Sequence, residues 1–485
     1  MLFNSLNFAF FLPIVFIFYW TLQNKKLAYQ NILLLLASYY FYGCWDWRFL
    51  FLLAFSTFLD FYTGLKIYHS SDKAKRKFWL ILSVGINLGF LGLFKYYNFF
   101  ADSFASLVHQ FGLNADHPTL RIILPVGISF YTFHGMSYVF DIYNRKIKPT
   151  TNWVDYSLFV SFFPLLVAGP IERATHLLPQ VEQKRTFDYS KLTDGLRQIL
   201  WGLFKKMVIA DNCAEYADII FNNSDSYSAS TLVLGALFFT FQIYCDFSGY
   251  SDIALGTARL FGFELLQNFK FPYFSRDIAE FWRRWHVSLS SWFKDYLYIP
   301  LGGSKGGLFK QIRNTCIIFL VSGFWHGANW TFVVWGFLNA IYIIPSIVFR
   351  TNRQHLEIIA QGRLFPSIKE LAQMTLTFSL TVLAWIFFRA ETVGHAFDYL
   401  SGIFSMSLFT NPFISNPEFI RSILVIALLI PFMIIEWLGR ENKYAIETSF
   451  LNMPRPVRWA FYSLLVFSIG VFMQTKESAF IYFQF

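Results

Sequence analysis

Residues 322–330 read SGFWHGANW and place one imidazole, that of His326, inside an apolar run that covers residues 312–349. An ionisable side chain inside a bilayer is expensive and is therefore usually kept for a function. The flanking Gly323 and Gly327 allow the backbone to bend or a ligand to approach closely. A histidine that is simply hydrogen-bonded inside a helix bundle is the alternative interpretation of this stretch.

The composition is that of a membrane protein. Of the 485 residues, 55% are hydrophobic, 21% are aromatic and 14% are charged, whereas soluble domains carry about 25% charged residues. The 62 phenylalanines are more than a soluble core of this size would bury, so lipid must contact much of the surface. We attribute the formal charge of +10 to cytoplasmic loops that face anionic lipid, and not to nucleic-acid binding.

The four cysteines are scattered and form no CxxC pair. We therefore expect neither structural disulfides nor a metal site. The first apolar segment, residues 7–20, lacks a basic n-region and a small-residue cleavage site. We interpret it as a retained membrane segment and not as a cleaved signal peptide.

Apolar segments and loops of alternating charge predict an all-α, polytopic transmembrane helical bundle with roughly 10 to 12 crossings. The positive-inside rule places both termini on the extracytoplasmic face. Residues 156–171 lie between two basic loops and contain two prolines and a glycine, which predicts a re-entrant segment. We expect one integral membrane domain over residues 1–485, with a histidine-bearing core at about 242–349 and no soluble domain at either end. The predicted crossings lie near residues 6–21, 29–45, 48–67, 78–97, 119–142, 194–210, 229–247, 312–325, 328–349, 371–388, 419–438 and 457–474.

A second histidine lies in a basic and aromatic stretch. Residues 278–293, IAEFWRRWHVSLSSWF, follow the period of one amphipathic helix, with the tryptophans on one face and His286 at its rim. Arg283 and Arg284 lie on the other face, which predicts a helix in the membrane interface. Anchoring to anionic lipid would explain the arginines and tryptophans. It would not explain His286, which is neither a good anchor nor a strong cation at pH 7.

Two neighbouring motifs carry weaker signals. Residues 295–307, DYLYIPLGGSKGG, combine glycines with Lys305, and such a loop can bind phosphate. The spacing is not that of a P-loop, so a plain turn is an equal alternative. The motif DFSGYSD at 246–252 contains two aspartates, which we expect to cap helices or to pair with the arginines of residues 276–284.

The stretches FWRRWHVSLSSWFKDYLYIPLGG at 281–303 and VSGFWHGANWTFVVWG at 321–336 resemble the two signature regions of the membrane-bound O-acyltransferases. The similarity is greatest to the branch that contains alginate O-acetyltransferases. Residues 242–256, residues 162–173 and the terminal FIYFQF resemble the same branch. Leu165 departs from the pattern, because glutamine follows the proline in many relatives.

This resemblance implies a funnel-shaped bundle whose thin centre holds His326 in a tunnel between the two faces. His326 then corresponds to the near-invariant catalytic histidine of the family. His286 takes the place of a second signature residue that is Asn or Asp in other branches. The implied donor is acetyl-CoA from the cytoplasm, and no metal is implied. The residues that we assign to the donor are Arg283, Arg284 and Lys305 for its phosphates, with Trp285, Trp325 and Asn329.

The implied reaction is O-acetylation of an exported polysaccharide, such as alginate, cellulose or peptidoglycan, at the bacterial inner membrane. A separate extracytoplasmic SGNH-type, hydrolase-like acetyltransferase would complete the transfer. His326 either takes the proton from the acceptor hydroxyl or carries the acetyl group itself, and the sequence leaves both open. The terminal run AFIYFQF either docks a partner or packs into the bundle.

Two other functions compete with this interpretation. One is transfer of D-alanine from a carrier protein to teichoic acid, within the same superfamily. The other is a proton-coupled transporter or flippase whose histidines relay protons. Matched broken helices in inverted repeats would favour a transporter, and the sequence shows no such repeats.

Overall fold

The computed structural model describes residues 1–113, 123–167, 169–415, 417–451, 453–474 and 480–481, and over these residues its secondary structure is entirely helical. The prediction of an all-α membrane bundle is confirmed. The first residues of the predicted crossing at 119–142 and most of the terminal run lie outside the described residues. The chain divides into two compact units, residues 1–191 with 258–266, and residues 192–257 with 267–485.

The first unit contains nine described helices. Their bounds are α1 (Leu6–Thr21), α2 (Leu27–Asp46), α3 (Phe49–His69), α4 (Lys73–Leu91), α5 (Tyr97–Gln110), α6 (Ile128–Tyr143), α7 (Trp153–Ser161), α8 (Phe163–Leu166) and α9 (Ala174–Val181). A π-helical turn, Gly92–Tyr96, connects α4 to α5.

Polar side chains and small residues hold the first unit together. Asp60 on α3 is 2% exposed and accepts hydrogen bonds from Ser83 Oγ at 2.5 Å and Asn87 Nδ2 at 2.8 Å, both on α4. A Cβ atom on Gly135 of α6 would lie 1.9 Å from Asp60 Oδ2, so only glycine permits this approach. Lipid tails give helices no hydrophobic reason to associate, and such contacts take over that role.

The predicted re-entrant stretch consists of short helices. Helix α7 has 9 residues, which is about 14 Å and too short to cross a bilayer. The buried Glu172 directly follows this stretch. Its Oε1 accepts a hydrogen bond from the Leu266 amide at 2.5 Å, and its Oε2 lies 2.8 Å from His176 Nδ1. The helix lengths therefore agree with a segment that enters and returns.

The second unit contains the remaining described helices. They are α10 (Tyr189–Leu203), α11 (Asp211–Asn222), α12 (Ala229–Leu260), α13 (Ile278–Arg284), α14 (Val287–Phe293), α15 (Leu308–His326), α16 (Trp330–Val348), α17 (Ile368–Arg389), α18 (Val393–Ile403), α19 (Pro412–Ser415), α20 (Ser422–Leu438) and α21 (Arg455–Phe472). The first residues of α10 and the last of α12 belong to the first unit. The acidic stretch that follows the predicted crossing at 194–210 is helix α11.

Six helical segments of the described chain are long and apolar enough to cross a membrane: Phe49–His69, Lys73–Gln110, Ala229–Leu260, Trp330–Val348, Ile368–Arg389 and Phe419–Leu438. Helix α1 is apolar but shorter. The protein is thus a multi-pass membrane protein. The total of 10 to 12 crossings and the orientation of the termini remain predictions.

Helices α15 and α16 form a hairpin that depends on two glycines. A Cβ atom on Gly323 would lie 2.2 Å from the Phe332 carbonyl oxygen, and one on Gly336 would lie 2.3 Å from the Phe319 carbonyl oxygen. The opposing atoms are backbone atoms, which cannot move aside by rotating a side chain. The two helices therefore pack backbone against backbone, as small residues allow in membranes.

We predict that Gly323→Ala lowers the free energy of unfolding by about 1–3 kcal/mol, because overpacking forces the helices apart. Thermal unfolding in detergent, followed by tryptophan fluorescence, measures the change. Gly470→Ala is the matched control, since a Cβ atom there would meet nothing within 4 Å. Equal stability of the two variants would contradict the proposed backbone contact.

Candidate active site

His326 is the last residue of α15 and is 3% exposed. Its imidazole lies among aromatic rings, with centroid separations of 5.0 Å to Trp325, 5.1 Å to Trp335 and 5.3 Å to Phe388. Gly327 follows in extended conformation, and a Cβ atom there would meet the Phe332 ring at 2.1 Å. The helix therefore ends at the histidine, which is held in a predominantly aromatic environment.

His286 lies where the predicted amphipathic helix is interrupted. The prediction of one continuous helix over 278–293 is wrong, because α13 ends at Arg284 and α14 begins at Val287. His286 adopts a left-handed conformation with φ of 42°. Two main-chain hydrogen bonds stabilise the break: Lys270 N–H to the Arg284 carbonyl at 2.9 Å, and Val287 N–H to the Asn268 carbonyl at 2.9 Å.

The break turns His286 inward, where it is 1% exposed. Its Nδ1 lies 2.9 Å from Asn268 Oδ1. Its Nε2 is buried and makes no hydrogen bond among the described residues. The imidazole and the Phe247 ring form a T-shaped pair, with centroids 4.6 Å apart. Burial lowers the pKa of His286 to about 3, so the imidazole is neutral at physiological pH.

Trp325 lies between the two histidines. Its ring centroid is 6.1 Å from that of His286 and 5.0 Å from that of His326. Trp285, another residue assigned from the sequence, is 1% exposed and packs against Trp385 at 4.9 Å. The structure thus brings four of the assigned residues together in one aromatic cluster.

A pocket of about 530 Å³ adjoins the His286 segment. Arg283 and Arg284 line it, but their guanidinium groups already bind protein atoms. Arg283 donates to the Asn352 and His355 carbonyls, each at 2.7 Å, and Arg284 donates to Glu280 at 2.6 Å. The cations that line this pocket are Lys270, Arg283, Arg284, Arg440 and Lys443.

Lys270 and Lys443 differ from the arginines of this pocket. Both are exposed, and the described structure gives neither ammonium group an ion pair. Lys305 is exposed as well but does not line this pocket. The lysines that can reach a bound anion are thus ones that the sequence did not single out.

A second pocket, of about 490 Å³, lies at the other end of α16. Asn329 lines it and caps α16, with its Oδ1 accepting from the Thr331 amide at 3.0 Å. Phe332 and Phe388 also line it, and Phe388 separates it from the His326 ring. The first pocket is near the far end of α16, where the Asn352 amide donates to the Ser346 carbonyl at 3.1 Å. A helix of 19 residues separates the two by roughly 28 Å.

The aspartates of the DFSGYSD motif pair with lysines, and the expected pairing with arginines is wrong. Asp252 lies 2.6 Å from Lys205 Nζ, and Asp246 lies 2.7 Å from Lys206 Nζ, which also contacts Asp211 at 2.7 Å. Arg276 and Arg283 instead donate hydrogen bonds to residues 352–357, in the loop after α16. The lysines were missed because residues 194–210 read as an ordinary apolar crossing.

A cavity of about 20 Å³ lies between this charge cluster and Asn268, the residue that contacts His286. It is large enough for a single water molecule. Its polar lining includes Lys205, Asp252, Glu436, Ser251 and Asn268. Gln267, Phe271 and Lys443 line both this cavity and the larger basic pocket.

The described part of the terminal run packs into the protein. Phe480 and Ile481 are each 2% exposed, and the Ile481 amide donates to Asp246 Oδ2 at 2.7 Å. Phe480 packs on Phe247 at 5.7 Å. Of the two alternatives for this run, packing therefore describes these two residues.

Comparison with known proteins gives a consistent result. Residues 143–370 match the family model for the membrane-bound O-acyltransferase family. A probable alginate O-acetylase from Azotobacter vinelandii is 38% identical over 92% of this chain and 86% of its own. A peptidoglycan O-acetyltransferase from Helicobacter pylori is 37% identical over 84% of this chain and 80% of its own. A teichoic acid D-alanyltransferase from Streptococcus thermophilus is 28% identical over 59% of this chain and 70% of its own.

The buried His286 predicts a pH-dependent stability. The unfolded chain binds a proton at this residue below about pH 6.5, whereas the folded chain does so only near pH 3. The free energy of unfolding should therefore fall as the pH falls, by about 2 kcal/mol between pH 6.5 and pH 5. His286→Asn, which tolerates the left-handed backbone, should remove this contribution. Denaturant unfolding at both pH values measures it, and the exposed His69→Gln should retain the wild-type difference.

Proposed function

Because the chain belongs to the membrane-bound O-acyltransferase family, in the branch that contains the alginate O-acetylases, we propose that it moves acetyl groups from cytoplasmic acetyl-CoA to an exported polysaccharide. Its general activity, O-acyl transfer, follows from that membership. The observation that carries the proposal is the pair of buried histidines, linked by Trp325, between pockets at opposite ends of α16.

The donor enters through the basic pocket. Acetyl-CoA carries phosphates at one end and a thioester at the other, so a pocket that is lined by cations and adjoins the His286 segment suits it. Lys270 and Lys443 supply the direct charge contacts, because Arg283 and Arg284 are engaged by carbonyls and by Glu280. The arginines still contribute positive potential to the mouth.

The reaction takes place at His326. Its imidazole accepts the proton of the acceptor hydroxyl as the oxygen attacks the thioester carbonyl. The C–S bond then breaks, and the proton passes to the departing CoA thiolate. His286 orients the thioester from the cytoplasmic side. An acetyl group carried on His326 itself is the variant of this step that the proposal leaves open.

The acceptor approaches through the pocket that Asn329 lines. Phe388 and Phe332 stand between that pocket and His326, so these rings must move for the acceptor to reach the imidazole. The final acceptor is a hydroxyl group of an exported polysaccharide. This chain lies in the bacterial inner membrane, and an extracytoplasmic hydrolase-like protein completes the transfer from it to the polysaccharide. Alginate and peptidoglycan are the polymers named for the two O-acetylating relatives described above.

Transfer of D-alanine is the second candidate. The teichoic acid D-alanyltransferase from Streptococcus thermophilus is a weaker match than the O-acetylases, at 28% against 38% identity and with less of the chain covered. Offering the purified protein labelled acetyl-CoA or a D-alanyl carrier protein separates the two functions.

We predict that His326→Ala lowers acetyl release or transfer from labelled acetyl-CoA by at least about 100-fold, since a positioned base supplies 10²–10⁴-fold. The assay uses the purified chain with its extracytoplasmic partner. His69→Gln, an exposed histidine, is the control and should keep wild-type turnover. Undiminished turnover of a folded His326→Ala variant would refute the assigned role.

The double variant Lys270→Ala, Lys443→Ala should raise the KM for acetyl-CoA about tenfold, or about 1.4 kcal/mol, and leave kcat unchanged. The increase should be largest at low salt, because the contacts are solvent-exposed charges. Lys75→Ala, an exposed lysine of the first unit, is the matched control. If Arg283→Ala with Arg284→Ala raises KM more than the lysine pair does, the phosphates bind the arginines instead.

A further inference from the structure

Asn268 is the residue around which the His286 segment is organised. It is 1% exposed and lies in the segment between α12 and α13. Its main-chain carbonyl accepts from the Val287 amide at 2.9 Å. Its side chain lies 2.9 Å from His286 Nδ1, and its Oδ1 accepts from Ser288 Oγ at 2.8 Å. Asn268 therefore holds both the backbone beside His286 and the imidazole of His286.

The other end of the Asn268 amide is also fixed. Its Nδ2 donates to Ser251 Oγ on α12 at 3.0 Å, and Ser251 is 3% exposed. Its side-chain partners Ser251 and Ser288 are both hydroxyl groups, and the orientation in the structure places the amide oxygen toward the imidazole. With the oxygen toward the imidazole, Nδ1 must be the ring nitrogen that carries the proton.

The second ring nitrogen is then the one that carries a free lone pair. Nε2 of His286 is buried and has no hydrogen-bond partner among the described residues. The rings that pack on the imidazole are those of Phe247, Phe269 and Trp325. Buried polar atoms are almost always satisfied, and an exception calls for an explanation such as a catalytic role or a bound molecule.

We propose that Asn268 is a positioning residue for acyl transfer. It holds His286 as the tautomer that is protonated on Nδ1, so that the Nε2 lone pair accepts a hydrogen bond from an amide N–H of the arm that carries the donor's thioester. This inference rests on the proposed function. It assigns a specific task to each nitrogen of His286 and adds a residue that neither signature region contains.

The charged groups nearest to Asn268 are those of the small cavity that it lines. Lys205 and Asp252 form an ion pair there at 2.6 Å, and Glu436 accepts from Tyr244 at 2.6 Å. Both carboxylates are thus already engaged. A new carboxylate at position 268 would face His286 directly, and its charge would raise the imidazole's affinity for a proton.

The test compares Asn268→Ala with Asn268→Asp in the acetyl-CoA assay. Asn268→Ala should lower kcat by roughly 10- to 100-fold, the loss typical of an orienting partner, with KM within twofold. Asn268→Asp should retain the Nδ1 proton and recover most of kcat at pH 8. Its activity should fall on the acid side at a higher pH than in the wild type, because protonation of Nε2 removes the lone pair. A purely structural role would not move this limb of the pH profile.

The matched control is Asn212→Ala, since Asn212 donates to the Met207, Val208 and Phe472 carbonyls. It should keep wild-type kcat. Wild-type kcat in a folded Asn268→Ala variant would overturn the inference. The inference would also be overturned if Asn268→Asp were as inactive as Asn268→Ala and its pH profile were not shifted. That result is expected if the amide nitrogen, and not the oxygen, faces the ring.

A spectroscopic measurement tests the clamp without activity. In protein labelled with ¹⁵N-histidine, the difference between wild type and His286→Asn isolates the His286 signals. The wild type should show Nδ1 protonated and Nε2 unprotonated, and Asn268→Ala should lose this preference. A wild type with Nε2 protonated would overturn the inference. A wild type that shows the expected tautomer but transfers no acetyl group would leave the clamp intact and refute the proposed function.

Discussion

The backbone contact between α15 and α16 is the constraint on which the site depends. Gly323 and Gly336 let the two helices touch without side chains between them, and His326 ends the first of these helices. A wider crossing would draw Trp335 on α16 away from the imidazole, from which its ring centroid is now 5.1 Å. In a membrane, this tight packing replaces the hydrophobic driving force available to soluble helices. The position of His326 therefore depends on the lack of a side chain at Gly323 and at Gly336.

Buried charges in the second unit serve a different purpose from the histidines. Lys205 and Lys206 pair with Asp252 and Asp246, which joins the π-helical segment Phe204–Ala210 to α12. Removing one partner of such a pair costs about 3–5 kcal/mol, because the remaining charge stays buried. These pairs are therefore explained by their contribution to stability. A proton relay is not needed to explain them.

Local signals predicted the histidine hairpin well, and non-local contacts explain the errors. The apolar runs and the Gly–Ala–Asn turn placed the ends of α15 and α16 within a few residues. The break at His286 left no trace in the helical period, because hydrogen bonds from residues 268–270 create it. The lysines of residues 204–210 were hidden in an apolar segment, and their partners lie some forty residues away. Asn268 belongs to neither histidine segment, so no motif pointed to it.

The left-handed backbone at position 286 limits which amino acids can stand there. A φ of 42° is unfavourable for most side chains, whereas glycine, asparagine, aspartate and histidine enter this region more readily. The family resemblance gave this position as Asn or Asp in other branches and as His in this one. In this chain, the backbone conformation therefore restricts position 286 to a short list of residue types, and histidine is the member of that list that also brings an imidazole.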